Sequence, residues 1–236
     1  MIAPLAFSWL SPQITFALLI PVIIVAMIAQ FRVKSTFNKY SRVRARSGVT
    51  GKQAARSILD AADIHDVDIE VTESFLGDHY DPTKKKLVLS HAVANSDSLA
   101  SLGVAAHECG HAIQHKAAYA PLKARMAIVG PTMIASQLLP FIMIGGFIFG
   151  MVGPLLDLGI VIYAVLTVFQ LITLPVEFDA SRRAKIILQQ MGMVTADEAP
   201  AVSTVLGAAA MTYVAAFLGS LFHLIHLLAL RGSQRD

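Results

Sequence analysis

The chain has 236 residues, of which 55% are hydrophobic and only 15% charged, with a formal net charge of +3 and a mean hydropathy of +0.62. A composition this apolar excludes an ordinary soluble domain of the same size. The single cysteine, Cys109, excludes an internal disulfide framework. The positive charge does not read as a nucleic-acid surface, because only Phe37 and Tyr40 interleave the basic run that follows residue 31.

Residues 1–11 carry no charged side chain, and four further stretches lack Asp, Glu, Lys and Arg: 12–31, 126–156, 158–176 and 199–230. A spanning helix needs about 20 mostly apolar residues, so all four qualify. The first reads as a retained anchor, since it lacks the basic leader and the small-x-small cleavage site of a signal peptide. Directly after it come Arg32, Lys34, Lys39, Arg42, Arg44 and Arg46, a run suited to the cytoplasmic face and to anionic lipid headgroups. Fourteen of the 19 Lys and Arg residues fall in 32–125, three in 177–198 and two in 231–236. Basic residues beside a span stay inside, so 32–125 and 177–198 are expected in the cytoplasm and both termini outside.

Residues 47–97 read as a small α+β insert. Thr50 and Gln53 form a capping-box pattern opening a helix through Ile58 and Leu59. Val67, Ile69 and Val71 alternate with polar residues as a half-buried strand does. Asp81-Pro82-Thr83 is turn chemistry, and Leu87-Val88-Leu89 is a second short strand. One of these strands could hold an extended substrate by backbone pairing.

The motif His107-Glu108-Cys109-Gly110-His111 follows. The spacing predicts a helix over roughly 98–117, with N-cap candidates at 95–98. Two histidines four apart lie on one helix face, where a single Zn²⁺ can bridge them. Glu108, beside the first, can take a proton from water as it attacks a carbonyl; this is the H-E-x-x-H pattern of zinc peptidases. Cys109 reads as a small buried residue beside the site. His115 continues the spacing but lies about 6 Å further along the axis, which suits a supporting or surface role.

Pro121 breaks the motif helix. The second and third spans, separated by a turn at 150–154, form a membrane hairpin. Gly192 is a helix stop. Thr195 and Glu198 again resemble a capping box, complicated by Pro200. His223 and His226, near the end of the last stretch, read as interfacial.

A catalytic zinc takes three protein ligands and keeps one position open. Among the cytoplasmic acids downstream, Glu177, Asp179, Asp197 and Glu198 remain. Glu177 is favoured because it stands where the third span leaves the membrane, and the hairpin returns the chain to the depth of the motif helix. The other reading of Glu177 is an interfacial carboxylate paired with Arg182 or Arg183.

Four segments together carry a family resemblance: Ser-Gly-Val-Thr-Gly at 47–51, Asp-His-Tyr-Asp-Pro at 78–82, Gly-Val-Ala-Ala-His-Glu-Cys-Gly-His-Ala at 103–112 and Leu-Pro-Val-Glu-Phe-Asp-Ala-Ser at 174–181. In these the chain resembles the YugP-type neutral zinc metallopeptidases, a family of membrane proteins. The resemblance implies zinc, endopeptidase activity, His107, His111 and Glu177 as ligands, and Glu108 as base. More distantly, the arrangement is similar to integral-membrane peptidases that process prenylated or damaged membrane proteins. Those carry an acid four residues after the third ligand, where this chain has Ser181. Asp179, Ser181, His79 and Tyr80 are therefore the candidates for supporting roles.

The expectation is a predominantly α membrane protein of about four transmembrane helices with a small cytoplasmic α+β zinc-peptidase insert. Its parts are an anchor at 1–31, a catalytic segment at 32–125, a transmembrane hairpin at 126–176, a segment with the third ligand at 177–198, and a last helix and tail at 199–236. Such a protein belongs in the bacterial plasma membrane, faces the cytoplasm, and acts on protein or peptide substrates, above all membrane proteins. The competing reading is a membrane adaptor or chaperone with a structural or vestigial zinc site. Glu108 separates the two, since a purely structural site has no use for a carboxylate there. A transporter is disfavoured because no charged residue lies inside any span.

Overall fold

The computed structural model describes residues 11–74, 77–148 and 152–233. Helix dominates, and the elements in chain order are α1 (Pro12–Tyr40), α2 (Gly51–Ala61), β1 (Asp68–Thr72), β2 (His79–Asp81), β3 (Lys86–Ser90), α3 (His91–Ala94), α4 (Leu99–Lys116), α5 (Ala120–Ile148), α6 (Val152–Gln190) and α7 (Ala199–Ser233). Among the described residues, α1, α5, α6 and α7 are long and apolar enough to cross a membrane. Their large side chains point outward: Ile14, Phe16, Phe31, Met133 and Phe141 are all exposed. An apolar exterior of this extent suits lipid and not water.

The chain divides into two compact units. One is drawn from Met1–Ile28, Ala124–Thr173 and Tyr213–Asp236. Several of its polar groups find partners within it. Thr15 Oγ1 lies 2.8 Å from His226 Nδ1, the His223 ring stacks on Tyr163 at 5.1 Å, and Arg231 pairs with Asp157. The expected turn at 150–154 lies partly outside the described residues, as do residues 1–10 and the tail at 234–236. Residues 152–154, expected in that turn, open α6 instead. Pro154 in that first turn removes an N–H that has no intrahelical acceptor anyway.

The other unit, Ala29–Lys123 with Leu174–Thr212, contains the small sheet and the motif helix. Thr50 caps α2 with a complete capping box. Buried Ile58 and Leu59 turn that helix onto a core with Leu87, Leu89, Leu102, Leu188 and Val202. The sheet order is β1-β3-β2, with β1 parallel and β2 antiparallel to β3. Leu87 and Leu89 are fully buried because β3 is central. Val71, expected on the buried face of its strand, is 41% exposed, since β1 is an edge. The short strand β2 follows no apolar alternation, and the Asp81 carboxylate accepts from the N–H groups of Thr83 and Lys84 to close the turn after it.

Ser98 caps α4, its hydroxyl accepting from Ser101 N. That helix ends at Lys116, and Pro121 lies in the first turn of α5 rather than breaking α4. Helix α6 runs through Pro175 without interruption, and Gly192 stands just past its end with φ +65°, where a side chain would be strained. Thr195 and Glu198 do bond: Glu198 Oε2 accepts from Thr195 N at 3.0 Å and from its hydroxyl at 2.9 Å. This contact closes a turn ahead of α7, which starts only at Ala199, with Pro200 tolerated in its first turn. The second Glu198 oxygen accepts from Arg46 N at 2.8 Å, so the turn is tied to the chain that leaves α1.

Candidate metal centre

His107 and His111 project from one face of α4, their rings edge to face with centroids 4.8 Å apart. Glu177 comes from α6. Its Oε2 lies 3.2 Å from His107 Nε2 and 3.5 Å from His111 Nε2. The helices approach closely beside the motif because Gly110 has no side chain: a Cβ there would stand 2.8 Å from the Ala180 carbonyl oxygen. Glu177 is only 2% exposed, far too buried for a carboxylate without specific partners.

Among the described residues, His107, His111 and Glu177 form a group that could hold a metal ion, all candidate donor atoms lying within 4.8 Å of one another. Two imidazoles and a carboxylate are a donor set of catalytic zinc. Zinc bonds of about 2.0–2.1 Å at the tetrahedral angle put neighbouring ligand atoms about 3.4 Å apart. The two nitrogen–oxygen separations given above bracket that spacing, so the residues fit the ion. Asp179, Asp197 and Glu198 lie outside the group: Asp197 pairs with Arg46 and Glu198 caps its turn.

The far nitrogens of both rings have partners. His107 Nδ1 lies 3.1 Å from Ser181 Oγ. His111 Nδ1 lies 3.0 Å from Gln114 Oε1. Gln114 donates from Nε2 to the Val176 carbonyl at 2.8 Å and to Asp179 Oδ2 at 3.0 Å. Asp179 is further paired with Arg182 and Arg183. The sequence holds no signal for Gln114 and leaves Asp179 as one of several candidates for a supporting role at the site. Asp179 reaches it through this amide.

Burial opposes charge on His111, but the Glu177 carboxylate, with Glu108 nearby and Gln114 accepting, outweighs it and holds the imidazole above its ordinary pKa. Glu108 is 8% exposed, and its carboxylate accepts no hydrogen bond from another described residue. Cys109 is fully buried, its Sγ 3.6 Å from the Ala55 carbonyl. Burial first, then the Glu108 charge, pushes its thiol up, which disfavours the thiolate form.

Of the other candidates, His79 Nδ1 bonds the Gly77 carbonyl. Tyr80 Oη lies 2.9 Å from His115 Nδ1. Burial, and then the charges of Asp66 and Asp81, push the Tyr80 hydroxyl up to about 12. Tyr80 and His115 line a cavity of about 550 Å³ with Ile64, Val67 and Ala112, beside the C-terminal half of the motif helix.

His107, His111 and Glu177 thus form a buried His₂Glu group on two helices that could hold a metal ion, with Glu108 next to the first histidine. The chain belongs to the family described as "Putative neutral zinc metallopeptidase", whose model it matches over residues 15–232. It is 45% identical over 208 residues to the "Putative membrane protease YugP" of Bacillus subtilis (strain 168), an alignment covering 88% of this chain and 92% of that protein. No solved structure matches it.

Proposed function

We propose that the protein is a membrane-embedded zinc metalloendopeptidase that hydrolyses peptide bonds of protein substrates at or near the membrane surface. The observation that carries this reading is the convergence of His107, His111 and Glu177 with Glu108 beside the first histidine. His107, His111 and Glu177 would hold the ion, and bound zinc supplies the Lewis acidity that makes water a nucleophile near neutral pH. Glu108 accepts the proton of the attacking water and returns it to the leaving amine. Its lack of a hydrogen-bonding neighbour among the described residues leaves its oxygens free for that exchange.

The charge distribution supports a site facing the cytoplasm. Similarity to the "Putative membrane protease YugP" of Bacillus subtilis (strain 168) supports a bacterial plasma membrane as its place. The outward apolar surfaces of the long helices contact lipid, and membrane proteins are the substrates within reach.

Metal analysis and proteolysis of a membrane-protein panel test the reading. Glu108→Gln should keep zinc and the fold while losing turnover by about 10²-fold or more, because it removes only the proton acceptor. His107→Ala or His111→Ala should lose zinc as well. Cleavage by Glu108→Gln at the native rate would overturn the reading.

A further inference from the structure

We propose that Gln114 is a positioning residue that fixes His111 as the tautomer with its proton on Nδ1, and that Asp179 in turn fixes Gln114. The inference rests on His111 being a zinc ligand and concerns the groups behind it.

Gln114 is fully buried and sits three residues after His111 on α4. The two ends of an amide are nearly alike in size, so their orientation is decided by the neighbours. One end lies 2.8 Å from the Val176 carbonyl oxygen and 3.0 Å from Asp179 Oδ2. A backbone carbonyl accepts only, and so does a carboxylate held by two arginines. The NH₂ must therefore face them, and both its hydrogens are used. Turned the other way, the amide oxygen would stand 2.8 and 3.0 Å from two other oxygens, a direct contact between acceptors.

The carbonyl end then faces His111 Nδ1 at 3.0 Å, and that oxygen can only accept. His111 must donate from Nδ1, which leaves the lone pair on Nε2. Nε2 is the nitrogen 3.5 Å from Glu177 Oε2, on the side where the candidate donors converge. Val176 and Asp179 thus select, through one neutral amide, the tautomer a metal needs.

The other histidine is held differently. The Ser181 hydroxyl beside His107 Nδ1 can donate or accept, so it orients the ring without choosing a tautomer. Gln114 also joins His111 on α4 to two points on α6, the helix that carries Glu177. One side chain sets both the ring and its distance from the carboxylate.

The test uses full-length protein labelled with ¹⁵N-histidine in detergent micelles. Metal-free samples, brought to a pH above which the histidine ring resonances no longer shift, are read by long-range ¹H–¹⁵N NMR, and zinc affinity is measured by chelator competition. The native protein should show Nδ1–H at His111. Gln114→Leu should move that proton to Nε2, facing Glu177, leave His107 unchanged, and weaken zinc binding about 10–100-fold. Asp179→Ala, which keeps Gln114, should weaken zinc binding by a smaller factor in the same direction; it decides the matter if Gln114→Leu does not fold. Native-like tautomer and affinity in Gln114→Leu, or native affinity in Asp179→Ala when the leucine variant is unfolded, would overturn the proposal. Neither result touches the peptidase reading, which falls instead if the native chain binds no zinc or Glu108→Gln stays active.

Discussion

Ser181 Oγ lies 3.1 Å from His107 Nδ1, one helical turn beyond Glu177 on α6. A neutral hydroxyl there holds the ring less firmly than a carboxylate would, because charge-assisted hydrogen bonds are about twice as strong. Ser181→Ala should therefore weaken zinc binding about 10-fold, at the low end of losses behind a ligand. Glu177→Ala should weaken it by far more and abolish activity, with Glu177→Asp, one methylene shorter, intermediate. Zinc content after dialysis against a weak chelator ranks the variants. Full zinc in Glu177→Ala would remove Glu177 from the ligand set.

Gly110→Ala places a methyl 2.8 Å from the Ala180 carbonyl oxygen and 3.1 Å from its Cα. Both are backbone atoms, so relief requires α6 to move, and overpacking of this kind costs about 1–3 kcal/mol. Because α6 carries Glu177, zinc affinity should fall together with the thermal midpoint. A stability loss with native zinc affinity would show that the helices adjust without disturbing the three side chains.

His111 keeps its proton to higher pH than an ordinary histidine in the metal-free protein. Zinc must displace that proton, so affinity should rise with pH up to the raised pKa and level off above it, past the ordinary histidine value of about 6.5. Metal-free stability runs the other way. The stabilising His111⁺–Glu177 contact is complete below the unfolded-state pKa and is lost as pH rises through the folded-state one. Chelator competition and thermal melts from about pH 5 to about pH 9 measure both slopes. A zinc affinity independent of pH across that window would rule out proton displacement at His111.

The proposed orientation can be read with single cysteines, since native Cys109 is buried and gives no background. Ser233→Cys should react with a membrane-impermeant maleimide in intact cells, and Lys84→Cys only after lysis. The reverse pattern would invert the topology and leave the chemistry unchanged.

His107, Glu108 and His111 were legible in the sequence because helical spacing alone puts the two histidines on one face. The caps at Thr50 and Ser98 were legible for the same local reason. Glu177 was narrowed to one of four acids by where the apolar stretches end, and only the packing of α6 on α4 brings it to the histidines. Gln114 carried no signal, since a glutamine three residues past a histidine means nothing until Val176 and Asp179 are beside it. Gly110 did carry one: a glycine inside a helix marks a close backbone approach. Strand β2 was missed because three residues are too few for a period to show, and Val71 was misjudged because alternation does not tell an edge strand from a central one.

The two sides of the centre, His107 and Glu177, are separated by 70 residues of chain, an interval that includes all of α5 and much of α6. During synthesis, at about 5–20 residues per second, the histidines emerge seconds before their carboxylate exists. Two imidazoles alone hold a metal poorly, so the three-donor group cannot form before the chain has reached α6. On the proposed reading, zinc binding and the activity that depends on it wait for α6, the third of the four long helices, to be made.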